Sequence, residues 1–170
     1  MLTFNRWVER LTALLRVCVL LLATAIFAIV VFTVITRYAF NWVLSWSEEV
    51  PRYLLIWVTF LSAAIGVDLK DHIAFDFIHT RLPRLLAAGV DILINAGLIA
   101  FGGLMLVYGI QFVQDFGGDW MESIPFTNVW YYPAIPVCGA LIILYAVRDQ
   151  LNIWFAPELR TQRTVLEEFE

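Results

Sequence analysis

The sequence predicts an all-α integral membrane protein with four transmembrane helices and short interfacial amphipathic helices. Hydrophobic residues make up 61% of the chain and its mean hydropathy is +0.79, which lies outside the range of soluble domains. Four apolar runs are each long enough to cross a bilayer, at about residues 17–36, 48–68, 85–110 and 129–147. Because the connectors are short, we expect residues 1–170 to form one membrane domain.

The first span contains a segment that resembles a signal-peptide cleavage site, Ala23-Thr24-Ala25. Ten more apolar residues follow it, however, through Ile35. The apolar region of a signal peptide ends before its cleavage site. We therefore expect this span to be a retained anchor helix.

The second span begins with a charged head that contains Glu48, Glu49 and Arg52. The uncharged run that follows, residues 53–67, covers roughly 22 Å as a helix, which is short of the ~30 Å hydrocarbon core. The charged head must therefore lie close to the hydrocarbon, where charges usually pair or face protein or water.

Local spacing offers a structural explanation for most of this charged head. Ser45 and Glu48 fit a capping box at the helix start, and Glu48 and Arg52 are four residues apart, so that they can pair on one helix face. This leaves the carboxylate of Glu49 without a local partner. Either the head is a capped, self-paired helix start, or some of its charges contact a partner membrane protein.

The third span carries an acidic residue, Asp91, with Asn95 one turn further on nearly the same face. Because a lipid-facing carboxylate there is costly, we expect Asp91 to have a packing or interface role; an ion or proton role is the alternative. The same span carries small residues that would let another helix approach closely. These are Gly89, Ala96, Ala100 and Gly103.

The distribution of Lys and Arg predicts that both termini are cytoplasmic. Nine basic residues lie before the first span, between spans two and three, and after the fourth span, whereas the other side holds only Arg37 and Arg52. The loop at 111–128 then faces outward, and it carries acidic residues but no basic residue.

Tryptophans fall near the predicted membrane boundaries, in the pattern of interfacial belts. The outer set is Trp42, Trp46, Trp120 and Trp130, and the inner set is Trp7 and Trp154, whereas Trp57 lies within a span. We also predict two segments along the interfaces, at about 37–46 outside and 73–84 inside.

No residue pattern points to an enzyme or a cofactor. The two histidines, His72 and His79, lie in the inner connector, so the spans offer no histidine ligand for haem. Cys18 and Cys138 lack partners at metal-ligand spacing, and we expect both to be small buried hydrophobic residues. A membrane anchor for a redox enzyme or a small channel remains an alternative, although the spans lack a polar pore lining.

Several short motifs, in order along residues 10–150, resemble the small membrane subunit of tripartite ATP-independent periplasmic (TRAP) transporters, the DctQ-like or Q subunit. They are Trp46-Ser47-Glu48-Glu49, Arg52-Tyr53-Leu54-Leu55-Ile56-Trp57, Lys70-Asp71-His72-Ile73 with Asp76, Arg81-Leu82-Pro83, Ile124-Pro125 and Tyr132-Pro133-Ala134-Ile135-Pro136-Val137. Each motif is weak alone, whereas their combined order and spacing are specific.

The resemblance implies a non-catalytic scaffold subunit in a bacterial inner membrane. It implies a large membrane partner that moves by an elevator mechanism and couples sodium to organic-acid uptake, such as uptake of a C4-dicarboxylate or sialic acid. A periplasmic binding protein would deliver the substrate, lipids would surround the complex, and no nucleic acid is implied. Our candidates for the partner interface are Trp46, Ser47, Glu48, Glu49, Arg52, Trp57, Gly89, Asp91, Asn95, Ala96, Ala100 and Gly103.

Overall fold

Four long helices form the protein in the computed structural model, which describes the backbone of residues 2–79 and 84–155 and the side chains of 3–68, 89–90 and 92–152. The helices are α1 (Leu2–Ala39), α2 (Glu49–His79), α3 (Arg84–Phe116) and α4 (Ala134–Phe155). Each forms all or most of a stretch long and apolar enough to cross a membrane. These stretches are Thr3–Ala39, Ser45–Asp68, Ile92–Phe116 and Asn128–Asn152. The predicted all-α fold with four spans is therefore confirmed.

The helices pack in the order α1, α2, α4, α3, so that neighbours in sequence are not all neighbours in space. The pair α3 and α4 has the most extensive contact, and α2 touches α3 little. The residues between α1 and α2 and those between α3 and α4 lie at one end of the molecule, which we call the loop end. The start of α1 and the end of α4 lie at the other, the termini end.

Glycines allow α3 and α4 to cross closely. A Cβ atom on Gly139 would lie 2.6 Å from the carbonyl oxygen of Gly102 and 2.8 Å from the backbone nitrogen of Leu106. Further along, a Cβ on Gly109 would lie 2.9 Å from Cδ of Pro136. Small residues at a helix crossing let two backbones approach and gain packing energy, which is a main source of helix association in lipid.

A buried cluster of charges joins α2 to α4 near the termini end. Nη2 of Arg148 lies 2.7 Å from Oδ1 of Asp68 and 3.0 Å from Oδ1 of Asp149, and Arg148 is only 2% exposed. Among the described residues, Asp68 Oδ1 accepts no hydrogen bond of good geometry, so its contact with Arg148 is an ion pair. Breaking a buried pair leaves an uncompensated charge and is strongly destabilising.

Helix α1 also contacts α4 near the termini end. Nδ2 of Asn5 donates to Oδ1 of Asn152 at 3.1 Å, and the hydroxyl groups of Thr12 and Tyr145 lie 3.0 Å apart. Val8, between Asn5 and Thr12, is fully buried in the hydrophobic core. At 1.5 Å per residue, the 38 residues of α1 cover about 57 Å, well beyond the predicted span 17–36.

The predicted interfacial segment 37–46 is not a helix of its own. Its first residues are the end of α1, the backbone then leaves the helix, and only Ser45–Ser47 form a single 3-10 turn. Asn41 interrupts the helix because its φ is +52°, in the left-handed region that Asn tolerates better than most residues. The aromatic residues that suggested an interfacial segment do not by themselves predict a helix.

The second predicted interfacial segment, 73–84, also differs from expectation. Through His79 it continues α2 without interruption, rather than starting a separate helix. Residues 80–83 lie outside the described residues. The unbroken α2 helix extends beyond Asp68, where the candidate span ends.

Replacing Gly139 with alanine tests the helix crossing. Because the added Cβ would overlap the α3 backbone, we expect Gly139→Ala to lower the free energy of unfolding by about 1–3 kcal/mol. The matched control is Gly103→Ala, which meets nothing within 4 Å and should stay within about 1 kcal/mol of the parent protein. Unfolding in detergent measures both. Equal stability of the two variants would contradict the close crossing.

Candidate functional site

Glu49, the first residue of α2, is the centre of a hydrogen-bond network at the loop end. Its carboxylate is buried, with the residue 5% exposed. Oε1 accepts the hydroxyl of Tyr53 at 2.9 Å and the backbone N–H of Glu122 at 3.0 Å, while Oε2 accepts the backbone N–H of Ser123 at 2.8 Å. Hydrogen bonds to an ionised carboxylate are about twice as strong as those between neutral groups. Glu49 thus fixes the tip of the α3–α4 loop to α2.

The loop itself, residues 117–133, is folded back by its own backbone hydrogen bonds. The N–H of Met121 donates to the carbonyl of Phe126 at 2.9 Å, and that of Asn128 donates to Asp119 at 2.9 Å. These bonds make a short hairpin whose tip contains the two amide groups that Glu49 accepts. The loop is therefore held both internally and by a side chain from another helix.

Aromatic contacts attach the second half of the loop to α2. The rings of Tyr53 and Tyr131 stack with centroids 4.3 Å apart and planes 16° from parallel. One turn further along α2, Nε1 of Trp57 donates to the backbone carbonyl of Trp130 at 3.0 Å. Trp57 uses its side-chain hydrogen-bond donor within its own chain, and its contact with a partner stays a prediction.

The structure contradicts the local explanation of the charged head. Helix α2 begins at Glu49, so Ser45 is not its N-cap and Glu48 is not at its third position, and the predicted capping box is absent. Glu48 pairs with Arg37 at 3.2 Å, whereas we expected Arg52. Arg37, at the end of α1, lies within reach of Glu48 because the chain folds back between α1 and α2.

The other residues of the charged head divide into internal and exposed groups. Ser47 is 4% exposed and its hydroxyl donates to the carbonyl of Leu44 at 2.7 Å. Glu49 has all its hydrogen bonds inside the chain, which contradicts the expectation that it was left without an internal partner. Trp46, Glu48 and Arg52 are exposed. Within the described part of the chain, only these three of the group remain open to a partner.

Helix α3 has two faces with small residues, and they have different environments. Asn95 is 3% exposed, and its Nδ2 donates to Oε1 of Gln150 on α4 at 3.3 Å. This places Asn95 on the internal face, which continues to the glycine crossing at Gly102. The structure thus assigns Asn95 to packing within the chain.

The small residues predicted for a partner lie away from α4. A Cβ on Gly89 or Gly103 would meet nothing within 4 Å, and Ala96 and Ala100 are exposed. We call these four residues the outward stripe of α3. The side chain of Asp91 lies outside the described residues, and its role stays a prediction.

The predicted interfacial anchors are exposed where their side chains are described. Trp42, Trp120, Trp130 and Trp7 are between 56% and 71% exposed, while the side chain of Trp154 is outside the described residues. Exposure is what a belt residue requires, and their membrane depth stays a prediction.

Sequence reasoning missed three structural features. Asp68 and Arg148 have opposite charges at corresponding ends of spans two and four, and this complementarity was a signal that they meet. Gly102 and Gly109, seven residues apart on α3, formed a second small stripe that was equally visible in the sequence. Nothing in the sequence near Glu49 indicated that its carboxylate would accept hydrogen bonds from the loop amides.

The described residues contain no group of three His, Cys, Asp or Glu side chains placed to hold a metal ion. Cys18 and Cys138 are free, and Cys138 is buried as expected. Cys18 is only partly buried, contrary to the expectation, because α1 lies at one side of the row of helices. The buried polar groups described above mainly join one helix or loop to another.

Removing the charge of Glu49 tests the network at the loop end. We expect Glu49→Gln to lower the thermal unfolding midpoint, because a neutral amide accepts hydrogen bonds more weakly and its NH₂ group opposes one of the loop N–H groups. Tyr53→Phe, which keeps the ring stack, should have a smaller effect. The control is Glu48→Gln, whose exposed ion pair contributes little. A midpoint for Glu49→Gln equal to that of the control would refute the network.

Comparison with known proteins gives the family. The model of "Tripartite ATP-independent periplasmic transporters, DctQ component" matches residues 26–156, well over half of the chain. The chain is 21% identical over 132 residues to the sialic acid TRAP transporter small permease protein SiaQ of Vibrio cholerae, covering 78% of this chain and 76% of that protein.

A second relative is much longer. The chain is 25% identical over 128 residues to the sialic acid TRAP transporter permease protein SiaT of Haemophilus influenzae, covering 74% of this chain. The chain spans only 20% of the length of that relative. The family is a transport component, which agrees with the prediction that the chain is not an enzyme and weighs against a redox anchor. This four-helix membrane protein belongs to the DctQ component family of TRAP transporters.

Proposed function

We propose that this protein is the fixed, non-catalytic subunit that supports a large elevator-type membrane subunit. The complex would use a sodium gradient to take up an organic acid that a periplasmic binding protein delivers. Family membership supports the small-subunit assignment. This chain matches only one fifth of the SiaT relative. We expect the rest of that relative to correspond to the large subunit that would be this chain's partner.

The outward stripe of α3 is the observation that carries this proposal. Helix α3 already uses one small-residue face, at Gly102 and Gly109, to pack against α4. A second small-residue face, with Ala96 and Ala100 at its middle, contacts nothing described in the chain. Since small residues in membrane helices favour close approach of another helix, we assign the large subunit to this face.

The internal contacts suit a part that must stay still while its partner moves. Glu49 fixes α2 to the loop at one end, and the Asp68–Arg148 pair fixes α2 to α4 towards the other. The glycine crossing then fixes α3 to α4. An elevator partner needs such a support because its moving part slides against a surface that does not move with it.

The substrate of the complete transporter follows only from the relatives. Both relatives described above carry sialic acid in their names. We therefore propose a sialic-acid-like acid, and a C4-dicarboxylate is the alternative within the same chemical class. The small subunit would not bind either substrate.

Enlarging the outward stripe tests the assigned interface. We expect Ala96→Leu and Ala100→Leu together to lower the yield of co-purified large subunit at least about fivefold, since overpacking costs about 1–3 kcal/mol. Ala28→Leu, at an exposed alanine on α1, is the matched control. The interface assignment fails if the stripe variant co-purifies as well as the control. Sodium-dependent uptake by the isolated chain in liposomes would overturn the non-catalytic role.

The proposed orientation, with both termini in the cytoplasm, has its own test. In a background with Cys18→Ser and Cys138→Ala, we introduce one cysteine at Glu122 or at Arg6. A membrane-impermeant maleimide added to intact spheroplasts should label the cysteine at 122, which lies at the tip of the loop, and not the cysteine at 6. The reverse labelling pattern would show the opposite topology.

A further inference from the structure

An apolar groove of about 670 Å³ runs between α2 and the 117–133 loop. We call it the loop groove. One wall is a face of α2 and the preceding turn, and the other is the hairpin that Glu49 holds in place. The residues that decide its character are Trp46, Val50, Leu54, Trp57, Phe126 and Trp130.

Several polar groups in the walls of the loop groove have partners inside the chain. The hydroxyl of Tyr53 and the backbone N–H of Ser123 both donate to Glu49, and Nε1 of Trp57 donates to the carbonyl of Trp130. The groove therefore presents hydrocarbon and aromatic surface. Because most of the lining side chains are apolar or aromatic, an occupant without hydrogen-bonding groups fits this surface, whereas a polar occupant would find few partners there.

The groove is long enough for part of a lipid tail. From Val50 to Trp57 its α2 wall covers roughly 10 Å along the helix. This wall lies in the first part of the candidate span Ser45–Asp68, at the end where we predict the outer membrane boundary. Trp46 and Trp130, at its rim, are the residue type that prefers the headgroup level.

The walls suit a flexible chain better than a protein helix. Helix association in membranes relies on small residues, but bulky aromatic side chains line much of this groove. The outward stripe of α3 has the opposite character. The rim of the groove also continues into lipid-facing surface, because the neighbouring Leu55 on α2 is 54% exposed and Phe126 on the loop is 52% exposed.

We propose that the loop groove holds one acyl chain of a bilayer phospholipid. The chain lies along Val50 and Leu54 and ends beside Trp57, with its headgroup at the level of Trp46. Glu49 shapes this site without touching the lipid, because it positions the hairpin that forms the second wall. The site does not depend on the proposed transporter role, since it is formed by one chain alone.

Photo-crosslinking tests the proposal. The full chain is reconstituted in liposomes of phosphatidylethanolamine that contain a small fraction of the same lipid with a diazirine in one acyl chain. After irradiation, adducts are mapped by mass spectrometry. We expect the adducts to concentrate on the groove residues of α2 and the hairpin, compared with the exposed apolar surface of α1. Labelling spread evenly over all lipid-facing surfaces would overturn the proposal.

Two variants and a control distinguish the groove from the adjacent surface. Leu54→Trp fills the groove and should lower hairpin adducts about fivefold, whereas Leu55→Trp, on the exposed neighbouring position, should not. Leu54→Ala, which widens the groove, should retain or increase labelling. It is the variant to use if Leu54→Trp does not fold. An equal change in the yield of hairpin adducts in Leu54→Trp and Leu55→Trp would contradict the site.

The same experiment on the complex with a co-purified large subunit separates lipid from a protein occupant. Persistent labelling of the groove supports the lipid. Complete loss of labelling when the large subunit is bound would mean that the partner occupies the groove, and the proposal would be wrong. Because labelling of the isolated chain is measured separately, failure of the scaffold role leaves the lipid result readable.

Discussion

Most of the loop end depends on one buried carboxylate. Backbone N–H groups outside regular secondary structure need hydrogen-bond partners from elsewhere. Glu49 supplies them for the tip of the hairpin by accepting from Glu122 and Ser123. Once the tip is fixed, Tyr131 reaches the ring of Tyr53, and the loop leads directly into α4. The aromatic contacts, the groove and the entry into the last helix all follow from this placement.

A second constraint acts elsewhere in the molecule and is equally internal. The Asp68–Arg148 pair joins α2 to α4, and the crossing at Gly102 and Gly139 joins α4 to α3. Helices α2 and α4 thereby form the centre of the row, and α1 and α3 present large exposed apolar faces at its sides. In a small subunit built in this way, the two central helices are held by internal contacts, and the two outer helices can face lipid or a partner. The two small-residue faces of α3 then have different roles.

The sequence predicted the four helices because each apolar run is long and few other structures satisfy the backbone in lipid. It failed at the charged head, since spacing within one helix cannot reveal a partner from another segment. Glu48 meets Arg37 from the end of α1, and Glu49 meets a loop 73 residues away. On α3 the outward stripe and the internal glycines were both visible, but periodicity does not say which face is inside. The non-helical residues after Asn41 depend on a backbone conformation that an aromatic-rich segment does not specify.

Hydrogen exchange at single amides tests the central role of Glu49 most directly. If its carboxylate holds the hairpin, the amide hydrogens of Glu122 and Ser123 are protected in the native protein. Both should exchange about tenfold faster or more in Glu49→Gln, while amides in the middle of α4 keep their rates. Exchange at Glu122 and Ser123 that is already fast in the native protein, or unchanged in the variant, would contradict the account.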